Sequence, residues 1–432
     1  MNTTSLTDST TTPASFAAWI GLDWGDKEHA YCLAVGREAK PESGKLLHSA
    51  ENLHRWLQGL AQRFGGRPVA LGLESNRGAL LHVLAQYPWL EIFPVNPATS
   101  ARYRQAFVPS GAKDDLPDAA LLLDLVRFHA HKLRPLLQDD ESTRQLAALV
   151  QARRDTVDRR TQTLNQLTSV LKSYYPQAWQ LVGEDLSTTM ALEFLRRWPD
   201  LLALKSARPT TLRNFYYRHN VRRPELVKKR LESLQEMVAL TTDEAVVSVA
   251  RMQLKLLLEL LTTFNKHIGA FDAQIADAFA AHSDKALFEN LPGAGKALAP
   301  RLAVAFGSER TRYADAASFQ KYVGLAPVRE KSGRQLWTHW RWQAPVFTRQ
   351  SLVEWAGQTV VWCDWARRYY QRMKAKGKKH HVILRALAFK WARILWKCWQ
   401  THTPYDHDRY LKALKQRNSP NLPLTDPAAA TA

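Results

Sequence analysis

Ile20-Gly-Leu-Asp-Trp-Gly25 ends a short apolar run, Ala18–Leu22, on an acid and a turn. A strand that stops at a carboxylate places that carboxylate at the edge of a sheet, and the following segments say what kind of sheet. After the turn Gly25-Asp26-Lys27, Ala30–Val35 reads as a second strand and Lys45–His48 as a third. Glu51–Arg63 changes period: Leu53, Trp56, Leu57 and Leu60 recur at helical spacing. Pro68–Leu73 reads as strand, Gly78–Gln86 as helix, Glu91–Val95 as strand, and helix returns from about Pro117 to His131. Three strands followed by alternating helix and strand predict an α/β domain on a mixed sheet.

Downstream the pattern is helical. Leu146, Val150, Val157, Leu164, Leu167, Leu171 and Tyr174 follow a heptad-like spacing that Arg153 and Arg160 interrupt. Leu254, Leu257, Leu261, Phe264, Ile268, Phe271, Ile275 and Ala278 follow a cleaner one. Two readings stand: an antiparallel pair within one chain, or a seam between chains. An ordinary bundle explains the first stretch equally well. Residues 180–240 read as helices broken at Trp198-Pro199 and Arg208-Pro209. Leu291-Pro-Gly-Ala-Gly-Lys296 then opens a third region. It reads as a tight turn or as a helix-hairpin-helix turn that could hold a phosphate. It does not satisfy the GxxxxGK[ST] phosphate loop.

Composition excludes several classes. At about one domain per 100–200 residues, 432 residues allow two to four domains. No apolar run approaches the roughly 20 residues of a membrane span, and Leu254–Leu261 is broken by Lys255 and Glu259. Met1–Phe16 is polar, so a secretory leader is not expected. Cys32, Cys363 and Cys398 are odd in number and far apart, which rules out a disulfide framework or a zinc ribbon. The expected setting is the bacterial cytoplasm, in association with the nucleoid. A formal charge of +20 points to a polyanion. Trp365 to Tyr405 holds no Asp or Glu, and there lie Arg367, Arg368, Arg372 and Lys374, then Lys376, Lys378 and Lys379. Arg385, Lys390, Arg393 and Lys397 continue the excess. Nine of the 15 tryptophans fall between Trp337 and Trp399; most of these are expected to be core, with base stacking open to the rest.

Four acids form a set. Asp23 ends the first strand, Glu74 ends the fourth in Ala70-Leu-Gly-Leu-Glu-Ser75, and Asp115 and Asp118 start the helix at Pro117. Singly, each also reads as strand-end polarity or a helix cap. Together, carboxylates at neighbouring strand ends and an i, i+3 pair on one helix can meet at one point. Four clustered carboxylates repel one another unless a cation intervenes, and hard oxygen ligands suit Mg²⁺ or Mn²⁺. Two such ions about 4 Å apart can assist phosphodiester displacement.

Gly21-Leu-Asp-Trp-Gly-Asp-Lys-Glu-His-Ala-Tyr-Cys-Leu-Ala-Val35, Ala70-Leu-Gly-Leu-Glu-Ser75 and Lys113-Asp-Asp-Leu-Pro-Asp-Ala119 resemble the RuvC-like DEDD domain of insertion-sequence transposases of the 110 series. Leu291–Gly307, Tyr322-Val-Gly-Leu-Ala-Pro327 and Lys331-Ser-Gly333 resemble that family's second domain, often called Transposase_20. The likeness spans roughly residues 18–400. It implies a tail at 1–16, an RNase H-like (RuvC-like) DEDD domain at 17–138 and a helical coiled-coil insertion at 139–283. A small helical transposase domain at 284–405 and a tail at 406–432 follow. It carries the catalytic, metal-binding tetrad onto Asp23, Glu74, Asp115 and Asp118, and a nucleophilic serine onto Ser332. It further implies strand cutting and rejoining at element ends and target DNA, a bridge RNA, and a homo-oligomer, dimer or tetramer.

Two departures bear on that transfer. Asp114 and Leu116 stand where the family often has Thr and Arg, although the spacing of the paired aspartates survives. After the serine motif, Arg341-Trp-Gln-Ala-Pro-Val-Phe-Thr-Arg-Gln-Ser351 replaces a Gly-Asn-x-x-Leu-Arg segment. A Ser-Gly pair alone is a common turn. A serine that attacks phosphorus, however, keeps the phosphodiester as a covalent ester that a second DNA end can attack. Lys331, Arg334 and Arg341 could neutralise the phosphate. The alternatives are a RuvC-like nuclease or junction resolvase using the tetrad alone, and a non-catalytic nucleic-acid scaffold.

Overall fold

A computed structural model describes residues 16–74, 79–107 and 115–422. The side chains of Ala79, Phe107 and Asp115 fall outside that description, as do residues 1–15 of the tail expected at 1–16, residues 423–432 of the tail expected at 406–432, and the departure at Asp114. The chain divides into two compact units, Met1–Gln138 and Asp139–Ala432.

The first unit is built on β1 (Ala18–Asp23), β2 (Glu28–Ala34), β3 (Glu42–Leu47), β4 (Val69–Leu73) and β5 (Leu90–Pro94). Their order is β3-β2-β1-β4-β5, with β3-β2-β1 antiparallel and β1-β4-β5 parallel. The sheet is therefore mixed, as its sequence predicts. Helix α1 (Ala50–Phe64) makes the crossover from β3 to β4; Ser49 caps its start, and Gly65, left-handed at φ 60°, ends it. Its Leu53, Leu57, Leu60 and Phe64 pack on Ile20, Leu22, Leu71 and Leu73 at one face of the sheet. Helix α2 (Ala79–Leu84) precedes β5, and α3 (Pro97–Phe107) follows it. Helix α4 (Asp115–His129) covers the opposite face.

Contact between α4 and the sheet is unusually close because β1 and β4 present glycine there. A Cβ on Gly21 would lie 2.0 Å from the Ala119 carbonyl oxygen and 2.2 Å from the Leu123 nitrogen. One on Gly72 would lie 2.9 Å from the Leu122 carbonyl oxygen. Alanines flank the glycines: Ala30, Cys32 and Ala34 meet Ala119 and Leu123, and Ala70 meets Val126. Arg127 anchors the far end of α4 through bonds to the Gly36 and Ala39 carbonyls, both 2.9 Å.

In the second unit, α5 (Glu141–Tyr174) and α11 (Glu244–Ala280) lie antiparallel within one chain. Thr143 meets His282, Arg153 meets Asp272, and Arg160 meets Asn265. Within the chain the two helices therefore pair with each other. Between them run α6 (Ala178–Val182), α7 (Thr189–Arg197), α8 (Leu201–Lys205), α9 (Pro209–Arg218) and α10 (Pro224–Glu236). These share a core with Leu167, Leu171, Leu254 and Leu261 at one end of the pair. Helix α7 stops before Pro199 and α9 starts on Pro209, where breaks were expected.

At the other end Leu146, Val150, Ile275 and Phe279 join the C-terminal core. It comprises α12 (Lys285–Phe288), α13 (Gly295–Phe306), α14 (Ala316–Tyr322), α15 (Val346–Trp362), α16 (Asp364–Ala375), α17 (His380–Gln400) and α18 (His407–Gln416). Trp355, Trp365, Trp391 and Trp399 are fully buried in it, while Trp337, Trp342 and Trp362 are exposed. Gly293 (φ 70°) is held tightly in the turn before α13, where a Cβ would lie 2.9 Å from Gln358 Cβ.

Two expectations are corrected here. The C-terminal region is not purely helical, because β6 (Val328–Ser332) and β7 (Gln335–His339) form an antiparallel hairpin. The stretch assigned to a tail from residue 406 begins with α18, which Asp406 caps and whose Leu414 is buried in the core. Among the described residues no helix is long and apolar enough to cross a membrane.

Candidate active site

Asp23 is the last residue of β1, and Glu74 directly follows β4. The two strands are parallel neighbours, with Leu22 level with Leu73, so the acids leave the sheet side by side at one end. Side chains alternate along a strand. Leu22 and Leu73 face α1, so Asp23 and Glu74 share the side of Gly21 and Gly72, which faces α4.

Helix α4 runs back along β1 from that same end. Its Leu116 carbonyl accepts from Cys32 Sγ, Ala119 touches Gly21, and Val126 touches Gly72 and Ala70. The first turn, with Asp115 and Asp118, is thereby set at the strand ends that carry Asp23 and Glu74. Glycine on the strands and acids on the helix thus belong to one arrangement.

Asp118 is 6% exposed and ion-paired with Arg104 Nη2 of α3 at 2.5 Å. Glu74 accepts a hydrogen bond from the buried Ser100 hydroxyl, also on α3. Among the described residues no three His, Cys, Asp or Glu side chains stand close enough to hold a metal ion together. The donor chemistry nonetheless fits a hard divalent cation: oxygen ligands only, on one face of one sheet end. A buried carboxylate requires a counter-charge, and Arg104 supplies it for Asp118 in this structure.

Ser100 and Arg104 were missed by the sequence reading, which assigned no element between Val95 and Pro117. The available signal was Asn96-Pro97: Asn96 Oδ1 accepts from Ala98 N at 2.8 Å, and Pro97 begins the helix. From there Ser100 and Arg104 fall at i, i+4, on one face.

Ser332 lies in the second unit, as the last residue of β6. It pairs with Gln335 across a two-residue turn whose first position is Gly333 at φ 57°, where a tight hairpin favours glycine. Ser332, Lys331 and Arg334 are all exposed. Glu330 braces the hairpin by accepting from Trp337 Nε1 and His339 Nε2, each at 2.7 Å. Those bonds hold the Glu330 carboxyl below its usual range and raise the His339 imidazole above its own.

The expected nucleic-acid residues divide into two kinds. Lys374, Lys376, Lys378 and Lys379 are exposed at the end of α16 and the turn after it. Arg367 instead donates to the Val360 and Val361 carbonyls and pairs with Asp364, and Arg368 donates to the Pro420 carbonyl. Arg372 stacks near Tyr369, and the Arg341 carbonyl accepts from Arg349.

Residues 20–176 match a family model described as a transposase, and residues 285–371 match that of the Transposase IS116/IS110/IS902 family. The chain belongs to the IS110 family of transposases. It is 25% identical to the "Mini-circle putative transposase for IS117" of Streptomyces coelicolor, over 93% of this chain and 98% of that protein. It is 27% identical to "Insertion element IS110 uncharacterized 43.6 kDa protein" of the same organism, over 90% and 95%. It is 24% identical to "Insertion element IS900 uncharacterized 42 kDa protein" of Mycobacterium paratuberculosis, over 90% and 96%. The first matched segment of this IS110-family transposase contains the sheet end with Asp23, Glu74 and Asp118. The second contains the Ser332 hairpin. The chain is accordingly an enzyme that acts on DNA.

Proposed function

We propose that this transposase cuts and rejoins DNA strands through a covalent Ser332 phosphodiester, with Asp23, Glu74, Asp115 and Asp118 as ligands of Mg²⁺ or Mn²⁺. The observation that carries the reading is the shared end and face of the sheet on which Asp23, Glu74 and the first turn of α4 meet. A divalent ion bound there would supply Lewis-acid stabilisation to oxygens around a reacting phosphate.

Ser332 stands at the tip of an exposed basic hairpin, where a DNA backbone has access. In the first step its Oγ bonds to phosphorus and loses its proton while one backbone P–O bond breaks, and the departing sugar oxygen gains a proton. In the second, a sugar hydroxyl of another DNA end attacks the same phosphorus and restores the serine. The number of phosphodiester bonds is preserved, as recombination needs and hydrolysis does not. Lys331 and Arg334 flank the phosphate as point charges.

The +20 charge is large enough for a second polyanion, and the family resemblance makes that a bridge RNA pairing with element ends and target DNA. The same resemblance makes the working form a homo-oligomer. The test is a denaturing gel with labelled DNA. Wild type is expected to yield a protein–DNA adduct, and Ser332→Ala none, while still binding RNA. An adduct that persists in Ser332→Ala would sink the proposal. Free cleaved ends from Ser332→Ala would identify a metal-dependent nuclease instead.

A further inference from the structure

A cavity of about 1030 Å³ opens in the second unit between the base of the β6–β7 hairpin, α16, α17 and α18. It is as large as a typical small-molecule pocket, ~300–1,000 Å³. Among the described residues its wall carries five cations, Arg329, Arg385, Lys390, Arg393 and Arg417, and neither Asp nor Glu. Trp340, Tyr369, Phe389 and Tyr410 share that wall.

The cations are crowded. Arg385 lies 3.7 Å above the Trp340 ring, and Lys390 Nζ lies 5.2 Å from the Tyr369 ring centre. Burial lowers the Lys390 ammonium pKa, and Arg372 and Arg393 lower it further; burial and then Arg349 do the same to Arg385. Positive charges gathered on a partly desolvated wall repel one another, and an entering anion relieves the repulsion. A second observation specifies more than an anion. Asn421, only 7% exposed, lines the cavity, and its Oδ1 has no hydrogen-bond partner among the described residues. A buried carboxamide oxygen without a donor is costly, and a ligand N–H group would satisfy it once the side chain turns toward the cavity.

Phosphate-binding cations, aromatic faces and an unsatisfied amide together match the three parts of a nucleotide: backbone, base face and base edge. A paired base cannot present its face, so the nucleotide must be unstacked. We infer that this cavity takes an unpaired nucleotide of the DNA strand that lies against the Ser332 hairpin. The choice of DNA rests on the Ser332 reading above. Arg329, Thr338 and His339 place the cavity at the base of that hairpin. Ser332 lies three residues along β6 from Arg329, about 10 Å at ~3.3 Å per residue, or some three nucleotides of one strand at the duplex spacing of ~3.4 Å each.

The experiment uses the full chain, single-stranded DNA carrying 2-aminopurine, the same sequence as RNA, and a duplex. Wild type is expected to bind single-stranded DNA and to change the 2-aminopurine emission at one position. Lys390→Gln with Arg393→Gln should weaken that binding at least about tenfold, lower the salt slope by about 1.4, and erase the emission change. Arg417→Gln at the rim should do the same more weakly, which keeps the inference testable if the double variant fails to fold. Asn421→Ala should leave affinity within about threefold and reduce discrimination among bases. Lys229→Gln with Lys266→Gln removes equal charge elsewhere and should change none of these readouts.

Wild-type affinity in a folded Lys390/Arg393 variant would overturn the inference. So would an equal loss in the Lys229/Lys266 variant, or a loss confined to RNA. Ser332→Ala separates the two claims. If the adduct test fails while the emission change persists, the cavity stands and the serine reading falls. If the adduct forms but no position responds, the serine reading stands and the cavity falls.

Discussion

The carboxylate end of the sheet and the serine hairpin are built in opposite ways. At the sheet end, acids are fixed by strand register, by a helix seated on glycine, and by buried partners on α3. At the hairpin, Ser332 sits on two strands that pair only with each other, braced from outside by Glu330. On the proposed metal-binding reading, like charges must be held at fixed separations before a cation can organise them, so rigidity would serve the first region. If Ser332 is the nucleophile proposed above, it must reach a phosphorus atom on a large substrate and gains from exposure, which the second region provides.

The contrast can be broken most forcefully at its glycines. Gly21→Ala would drive a methyl into the backbone of α4, and the first unit should lose roughly 3 kcal/mol or more, measured by chemical denaturation. Retained stability would mean that α4 is not seated as described. Arg104→Met should cost about 3 kcal/mol by stranding the buried Asp118 carboxylate. Millimolar Mg²⁺ should restore part of that loss in Arg104→Met and none in Arg104→Met with Asp118→Asn; equal recovery in both would remove Asp118 from the metal site. Gly333→Ala, with open space around it but a φ of 57°, should cost only about 1 kcal/mol in the hairpin.

The smallest effect should distinguish the regions by sign. His29 is buried against His48, and burial, then that neighbour, lowers its pKa. Its contribution is complete above the unfolded pKa of about 6.5 and declines as pH falls below it. His339 is raised by Glu330, so its contribution is complete below about 6.5 and declines as pH rises through the raised value. Glu330, lowered by the same contact, contributes fully above about 4.5. Mild acid should therefore loosen the first unit and tighten the hairpin. Imidazole and Trp337 indole resonances followed by NMR from pH 5 to 8 would show both, and parallel trends would defeat the distinction.

The two regions also differed in how far they could be read in advance. All five strands of the sheet were legible as short runs that end in turns, and Asp23 and Glu74 as strand ends, whereas the proposed tetrad role of these two and of Asp115 and Asp118 on α4 came from the family resemblance. Helix α3 did not, because Ala98-Thr-Ser-Ala-Arg-Tyr-Arg-Gln105 has no apolar stripe; its place is fixed by Asn96 and by Ser100 and Arg104 reaching the acids. The hairpin strands went unread beside the Ser-Gly turn since Val328-Arg-Glu-Lys-Ser332 buries almost nothing, and its order comes from Glu330 bonding across to β7. Helix α18 was hidden behind charge, with Leu414 its single fully buried residue. Heptad spacing gave both long helices and left two readings of their partner open; polar matches such as Arg153 with Asp272 pair them within the chain.

That pairing has a metric consequence. In each of its three polar contacts the two residue numbers add to 425, so the helices run in constant register without a slip between Thr143 and His282. At ~1.5 Å per residue, the 34 residues of α5 make a strut about 50 Å long, the length of roughly 15 base pairs of duplex. The small-helix cluster and the C-terminal core are attached at its opposite ends. Adding seven residues to each arm would move the ends of the strut apart by about 10 Å, and with them the small-helix cluster and the C-terminal core that they carry.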